Sequence, residues 1–240
     1  AADELTTIFA GVVLVAVGWP VYASAYGMWV VVAMLIAVGL ALVIRSTVVQ
    51  AFYIPSGSME DTLFVGDYLL ANKFLYGAPV EVPGIRKPLF RLPAVREPRQ
   101  GDIVIFRSKT QPDRDLIKRC VAVGGQVVEV KDKVLYVDGK RVPDAPEAKY
   151  VDSNIYSGSR TARDNFGPYK VRPDHFFMMG DNRDNSQDSR VLLLVGFIPK
   201  ENLVGRAEIL FFSTNNKARW WEIWKWFGAM RIERFFQGII

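Results

Sequence analysis

The sequence predicts a mainly β soluble domain of antiparallel sheets or a partial barrel. It is preceded by an N-terminal transmembrane helix or helical hairpin and followed by a C-terminal amphipathic helix. Three observations carry this. Residues Leu5 to Ile44 contain no charged side chain. After them come short β-branched and aromatic runs separated by Gly, Pro and Asp-Gly turns, without the strand–helix alternation of a parallel α/β fold. Beyond Asn215, Trp220, Ile223, Trp224, Phe227 and Met230 recur at helical spacing.

As one helix, the uncharged stretch would extend about 60 Å, twice a hydrocarbon core of about 30 Å. Pro20 and the run Ala23-Ser24-Ala25-Tyr26-Gly27 offer a break, giving helices near Thr6–Tyr22 and Met28–Ile44 with Trp19, Tyr22, Tyr26 and Trp29 at the interfaces. A single crossing over Met28–Ile44 is the alternative. No basic segment precedes the apolar run, so a retained anchor is expected rather than a cleaved leader. Residues 1–45 are thus assigned to a membrane anchor, 46–213 to a β-rich domain with insertions near 77–100 and 143–173, and 214–240 to the amphipathic tail.

Within the middle region, Ser46–Tyr53 reads as a strand or a continued helix. Strands are expected over Asp67–Lys73, Asp102–Arg107, Leu116–Val123, Val127–Val130, His175–Met179 and Leu203–Phe212. Val134–Val137 and Lys140–Val142 flank Asp138-Gly139, the pair that suits a type I′ hairpin turn. Residues 77–99 hold five prolines and read as an exposed loop.

Half of the 240 residues are hydrophobic, with the excess in the first 45, and the net charge is +5. That balance suits an anionic lipid surface. The basic residues are scattered and form no nucleic-acid motif, so no nucleic-acid partner is expected. The single Cys120 excludes an internal disulfide. Tail residues Lys225, Arg231 and Arg234 among tryptophans suit lipid headgroups, although Arg231 falls close to the apolar face.

The candidate chemistry begins at Ser58, in Ile54-Pro55-Ser56-Gly57-Ser58-Met59, a stiff loop shortly after the anchor. A serine nucleophile needs a base. The chain has one histidine, His175, at the start of an expected strand and read as a surface or edge residue. A lysine can serve when neutral, and burial lowers its pKa by penalising the ammonium. Lys118 follows Leu116 and Ile117 in an apolar strand, while Arg119 is expected on the opposite, solvated face. The ordinary reading of a Lys-Arg pair in a strand is a surface feature. Cys120 reads as a buried, inert thiol. The run Gly180-Asp181-Asn182-Arg183-Asp184-Asn185-Ser186-Gln187-Asp188-Ser189-Arg190 reads either as a hydrogen-bonded turn or as a site. It does not suit calcium, because Arg183 occupies a ligand position and no bidentate Glu follows. No metal and no cofactor are expected.

Three blocks in this order, Phe52–Leu63, Gly101–Lys118 and Gly180–Arg190, resemble the bacterial type I signal peptidase family of membrane-bound Ser/Lys proteases; Val204–Ala207 fits as well. The resemblance implies Ser58 as acyl-forming nucleophile and Lys118 as general base. It implies Ser56 as a side-chain donor beside the Ser58 N–H in an oxyanion hole, and Ser186 as the serine that orients the lysine. Asp188 and Arg190 match a structural ion pair beneath the site. Phe52, Ile54, Met59, Leu63, Leu116 and Ile117 match positions near shallow substrate pockets that take small side chains. The chain departs from the family at Asp61, commonly proline, at Val123-Gly124-Gly125-Gln126, commonly Leu-Pro-Gly-Asp, and in the apolar run Val191–Val195.

By this resemblance the protein is expected to be a serine endopeptidase removing signal peptides from exported preproteins after Ala-x-Ala-type residues. Its partners would be signal peptides, the lipid bilayer and the export machinery. The form of the third block implies the bacterial inner membrane with the catalytic domain facing the periplasm. A soluble self-cleaving repressor is disfavoured by the anchor. A noncatalytic membrane-anchored binding domain would need none of Ser58, Lys118, Ser56 or Ser186.

Overall fold

A computed structural model describes residues 25–77, 79–80, 90–111, 114–158, 161–215 and 222–239. The expected first helix, Thr6–Tyr22, lies outside them. Helix α1, Ala25–Thr47, is 23 residues long, or about 35 Å at 1.5 Å per residue. Its segment Gly27–Ile44 has a mean hydropathy of 2.7 and none of it is buried. Met28, Trp29, Leu35 and Ile36 are all exposed. An apolar flank without protein cover suits a bilayer rather than water. The helix ends where Thr47 Oγ1 donates to Val43 O at 2.7 Å, and Ser46 and Thr47 belong to it rather than to the strand that follows.

The main sheet is wholly antiparallel among its described strands. Along its path lie β1 (Val49–Tyr53), β2 (Asp67–Asn72), β13 (Leu203–Ser213), β5 (Ile103–Arg107), β6 (Asp115–Val123), β11 (His175–Met179) and β12 (Ile198–Pro199), with β14 (Gln237–Gly238) also on β13. Strand β13 is 11 residues long and carries register shifts against β2 and β5, which bend it and curl the sheet into a half-barrel. Against it packs a core of Ile54, Met59, Leu63, Leu69, Ile105 and Leu210.

A second sheet orders β10 (Phe166–Lys170), β7 (Val127–Lys131), β8 (Val134–Val137) and β9 (Lys140–Arg141). The alternation of Val128 and Val130 on β7, with Leu135 and Val137 on β8, buries one face against Phe166 and Phe177. At the β8–β9 turn Asp138 and Gly139 both have positive φ, 51° and 74°, as a type I′ turn requires. The segment expected as an insertion, 143–173, therefore supplies a strand, β10. Within the proline-rich 77–99 region, β3 (Pro79–Val80) pairs with β4 (Phe90–Arg91) in a short ribbon.

In the tail, where an amphipathic helix is expected, the described residues hold a short one. Helix α2 covers only Ile223–Ala229, exposing Trp224 and Phe227. Beyond it the chain turns back to the sheet. Arg231, close to the apolar face by sequence, reaches inward to Val65 O at 3.2 Å, and Arg234 donates to Asp67 Oδ2 at 2.9 Å. The Phe64 ring lies under both guanidinium groups, at 5.4 and 4.5 Å. These cation contacts, together with the tilted packing of Phe235 against Phe212, outweigh continued helix and deliver β14 to β13.

Candidate active site

Strand β1 runs directly into the loop that carries Ser58. Ile54 N–H donates to Asp67 O at 2.9 Å and Gly66 N–H to Ile54 O at 3.1 Å, closing the loop at its base. Met59 and Leu63, fully buried, pin its inner side. Gly57–Met59 form one 3₁₀ turn with Ser56 extended before it, and Ser58 sits half-buried at the surface of this turn.

Across from it, β6 lies between β5 and β11, pairing Lys118 with Val104 and Arg119 with Met179. Lys118 Nζ stands 2.5 Å from Ser58 Oγ and donates to Ile117 O at 2.9 Å. The side chain is 3% exposed. Burial lowers its pKa to about 8; Asp188 and Asp181 oppose this, while Arg114 and Arg190 add to it. At pH 7 such a lysine is neutral in roughly a tenth of molecules, against well under a thousandth for a free one.

The end of β11 carries the third block into the site. Gly180 packs so closely that a Cβ there would lie 2.2 Å from Ser186 Oγ and 2.5 Å from Ser58 O. Ser186, 1% exposed, thus flanks the Ser58 loop, and its Oγ has no hydrogen-bond partner among the described residues. The hydrogen bond to Lys118 implied by the resemblance is not formed here. Asp188 and Arg190 make a buried, two-toothed pair at 2.9 and 2.8 Å, and Gly180 N–H donates to Asp188 Oδ2. Burial alone would raise the Asp188 carboxyl; Arg190 and the backbone donors outweigh it and lower its pKa.

Arg119 corrects a second expectation. It is not solvated but 7% exposed, donating through Nε and Nη2 to both oxygens of Asp181 at 2.9 Å. The opposite face of β6 is covered here by the 180–190 segment, which a single strand's alternation does not reveal. Asp181 also accepts from Thr62 Oγ1 at 2.6 Å, so it joins β6 to the loop bearing Ser58. Arg183 pairs with Asp144 at 2.8 Å.

The six pocket residues separate. Ile54, Met59 and Leu63 belong to the core cluster that includes Leu69 and Ile105, with Phe52 and Ile117 packed against it. Leu116 instead packs on a different cluster, around Phe106 and Phe176. Ser56 is exposed at the loop's rim. Cys120 is fully buried, and burial pushes its thiol up to about 12, an inert state. The His175 ring contacts Pro173 O at 2.8 Å. Asp61 has φ 79°, a left-handed conformation closed to the proline common in the family.

Asn182, Thr62 and Lys149 are the participants that sequence reading missed. Asn182 N–H donates to Ser58 O, and its Nδ2 to Gly57 O and Glu60 Oε2, each at 3.2 Å. Its place inside the Asp/Asn-rich block was the available signal. Lys149, in a polar segment, carried none.

The signal peptidase, peptidase S26 family matches residues 27–212. Signal peptidase I of Pseudomonas fluorescens is 37% identical over 199 residues, covering 72% of this chain and 68% of that protein. Signal peptidase I of Rickettsia typhi is 30% identical over 245 residues, covering 83% and 89%. A solved signal peptidase I from Enterococcus faecalis superposes on 47% of this chain and 98% of its own, with a TM-score of 0.35 and 23% identity. Fold, site and relatives together define a serine endopeptidase with an apolar N-terminal helix. The chain belongs to the signal peptidase, peptidase S26 family.

Proposed function

We propose that this protein removes N-terminal signal peptides from exported preproteins after small residues of the Ala-x-Ala type, using Ser58 as nucleophile and Lys118 as general base. The observation that carries this is the 2.5 Å approach of Ser58 Oγ to a buried lysine whose pKa is lowered to about 8. Neutral Lys118 takes the Ser58 proton as Oγ attacks the scissile carbonyl. The Ser58 N–H and the Ser56 hydroxyl, two residues earlier on the exposed rim, face the developing oxyanion. Protonated Lys118 then gives its proton to the leaving amine; neutral again, Lys118 takes a proton from the water that attacks the acyl carbon and returns it to Ser58 Oγ as the signal peptide leaves.

Phe52, Ile54, Met59, Leu63 and Ile117 supply the apolar wall for small side chains, with Leu116 behind the strand. Ser186 acts as the second hydroxyl on the lysine once substrate closes the site, and Asp188–Arg190 stiffens its segment. Because α1 leads within a few residues into the strand before Ser58, the nucleophile is held near the bilayer surface, where cleavage sites of exported chains emerge. The protein acts in a bacterial inner membrane, facing the periplasm, beside the machinery that delivers its substrates.

The test is incubation of the lipid-embedded protein with a preprotein carrying an Ala-x-Ala site, alongside Ser58→Ala and Lys118→Ala. Cleavage after the small residue, absent in both variants, is the expected result. Cleavage surviving Ser58→Ala would overturn the assignment.

A further inference from the structure

The nucleophile loop is held from a direction that the Ser58–Lys118 pair does not account for. The backbone of Lys149 lies alongside Asn182: Lys149 N–H donates to Asp181 O and Arg183 N–H to Lys149 O, both at 2.9 Å. From its other side Asn182 grips the Ser58 loop, through Ser58 O, Gly57 O and Glu60 Oε2. The side chain of Lys149 then crosses to the turn after Ser58, with Nζ 3.1 Å from Glu60 Oε2 and 3.2 Å from Asp61 Oδ2. A ring of contacts is closed, from the Ser58 loop to Asn182, to Lys149, and back to the same loop.

We propose that Lys149 is a positioning residue for the reaction, strapping the polar segment around it onto the Glu60–Asp61 turn and so fixing where Ser58 points. Two physical arguments support it. Adjacent carboxylates repel, and Asp61 is held at φ 79°, a backbone that side-chain-bearing residues rarely adopt. A cation shared between the two carboxylates offsets both costs and keeps the turn closed. The strap touches the turn and not the substrate, so its effect falls on the placement of Ser58 in the transition state more than on substrate binding. The side chains of Lys149, Glu60 and Asp61 are 27, 43 and 44% exposed, so the strap bears on geometry and charge more than on folding.

This inference rests on Ser58 being the nucleophile. The experiment therefore measures cleavage of an Ala-x-Ala preprotein by wild type, Ser58→Ala, Lys149→Met, Lys149→Arg and Glu60→Gln/Asp61→Asn, and by the last with Lys149→Met added. Melting temperatures are taken for each. Lys149→Met is expected to lower kcat about fivefold with KM and melting temperature nearly unchanged, and Lys149→Arg to recover most of the loss. Glu60→Gln/Asp61→Asn should lose a similar amount, and adding Lys149→Met to it should cost nothing further. A fully active Lys149→Met or Glu60→Gln/Asp61→Asn enzyme overturns the proposal. So does a loss that persists undiminished in the carboxylate-free background, or one that follows melting temperature alone. Activity remaining in Ser58→Ala would instead sink the proposed chemistry, a result the Lys149 series cannot produce.

Discussion

Arg119 closes a two-toothed ion pair on Asp181, 62 residues away in sequence, directly beside the lysine that faces Ser58. Two consecutive cations of one strand are thus both buried, for opposite ends. Arg119 keeps its charge because Asp181 answers it; Lys118 has hydroxyl and carbonyl contacts but, among the described residues, no carboxylate within ion-pair distance, and its proton is loosened. Removing one member of a buried pair leaves the other charge uncompensated. Arg119→Met should therefore cost about 3 kcal/mol in a urea melt and lower activity as the Asp181–Thr62 link to the nucleophile loop slackens. Arg119→Lys should recover only part, since an ammonium cannot make the forked contact. A melt unchanged by Arg119→Met would show that the pair holds nothing.

The depressed Lys118 pKa fixes a pH dependence. As the proposed base, Lys118 works only when neutral, so kcat/KM should climb with pH and level off above about 8, the value burial gives this amine. A wild-type profile already level at pH 6 would mean that another group takes the proton.

The same shift makes Lys118 a stability liability, and the sign can be worked out. Its folded pKa, about 8, lies below the unfolded 10.5, so between these values the unfolded chain binds more protons. Stability then rises with pH across that window, and the penalty is fully present below about pH 8. A gap of about 2.5 units corresponds to roughly 3 kcal/mol. Lys118→Met should therefore abolish cleavage while raising the unfolding free energy at pH 7 by about 2–3 kcal/mol, and should flatten its rise between pH 8 and 10. A less stable variant at pH 7 would mean that the Ser58 and Ile117 contacts outweigh the buried charge.

What could be read in the sequence was local. The strands with β-branched alternation, the Asp138-Gly139 turn and the Ser58, Lys118 and 180–190 blocks all announce themselves within a few residues. What could not be read depended on distant partners. Arg119 needed Asp181 to become a core residue, and nothing within β6 signals that cover. The tail carried a helical pattern that Arg231 and Arg234 override by reaching Val65, Phe64 and Asp67. Strand β10 was hidden by the Gly167-Pro168 within it, since both residues argue against a strand interior. Leu116 and Ile117, adjacent and equally apolar, fall into different clusters because neighbouring side chains of β6 face opposite ways.

Gly180 is where packing and chemistry meet most tightly. Its α-carbon lies against both the Ser58 carbonyl and the Ser186 side chain, leaving no room for a methyl group: an added Cβ would sit 2.5 Å from the former and 2.2 Å from the latter. Ser186 Oγ is the end of a short side chain and could rotate, but the Ser58 carbonyl is backbone, fixed by Asn182 N–H at 3.2 Å. Relief must come from moving the nucleophile loop away from β11, which pulls Ser58 from Lys118. Gly180→Ala should therefore reduce kcat by about a hundredfold, as expected when reacting groups are misplaced by about 1 Å. Overpacking should cost stability by a more modest 1–3 kcal/mol. The pairing of a urea melt with cleavage kinetics separates the two effects. An Ala variant with near-wild-type kcat would show that the loop can shift without disturbing the Ser58–Lys118 contact.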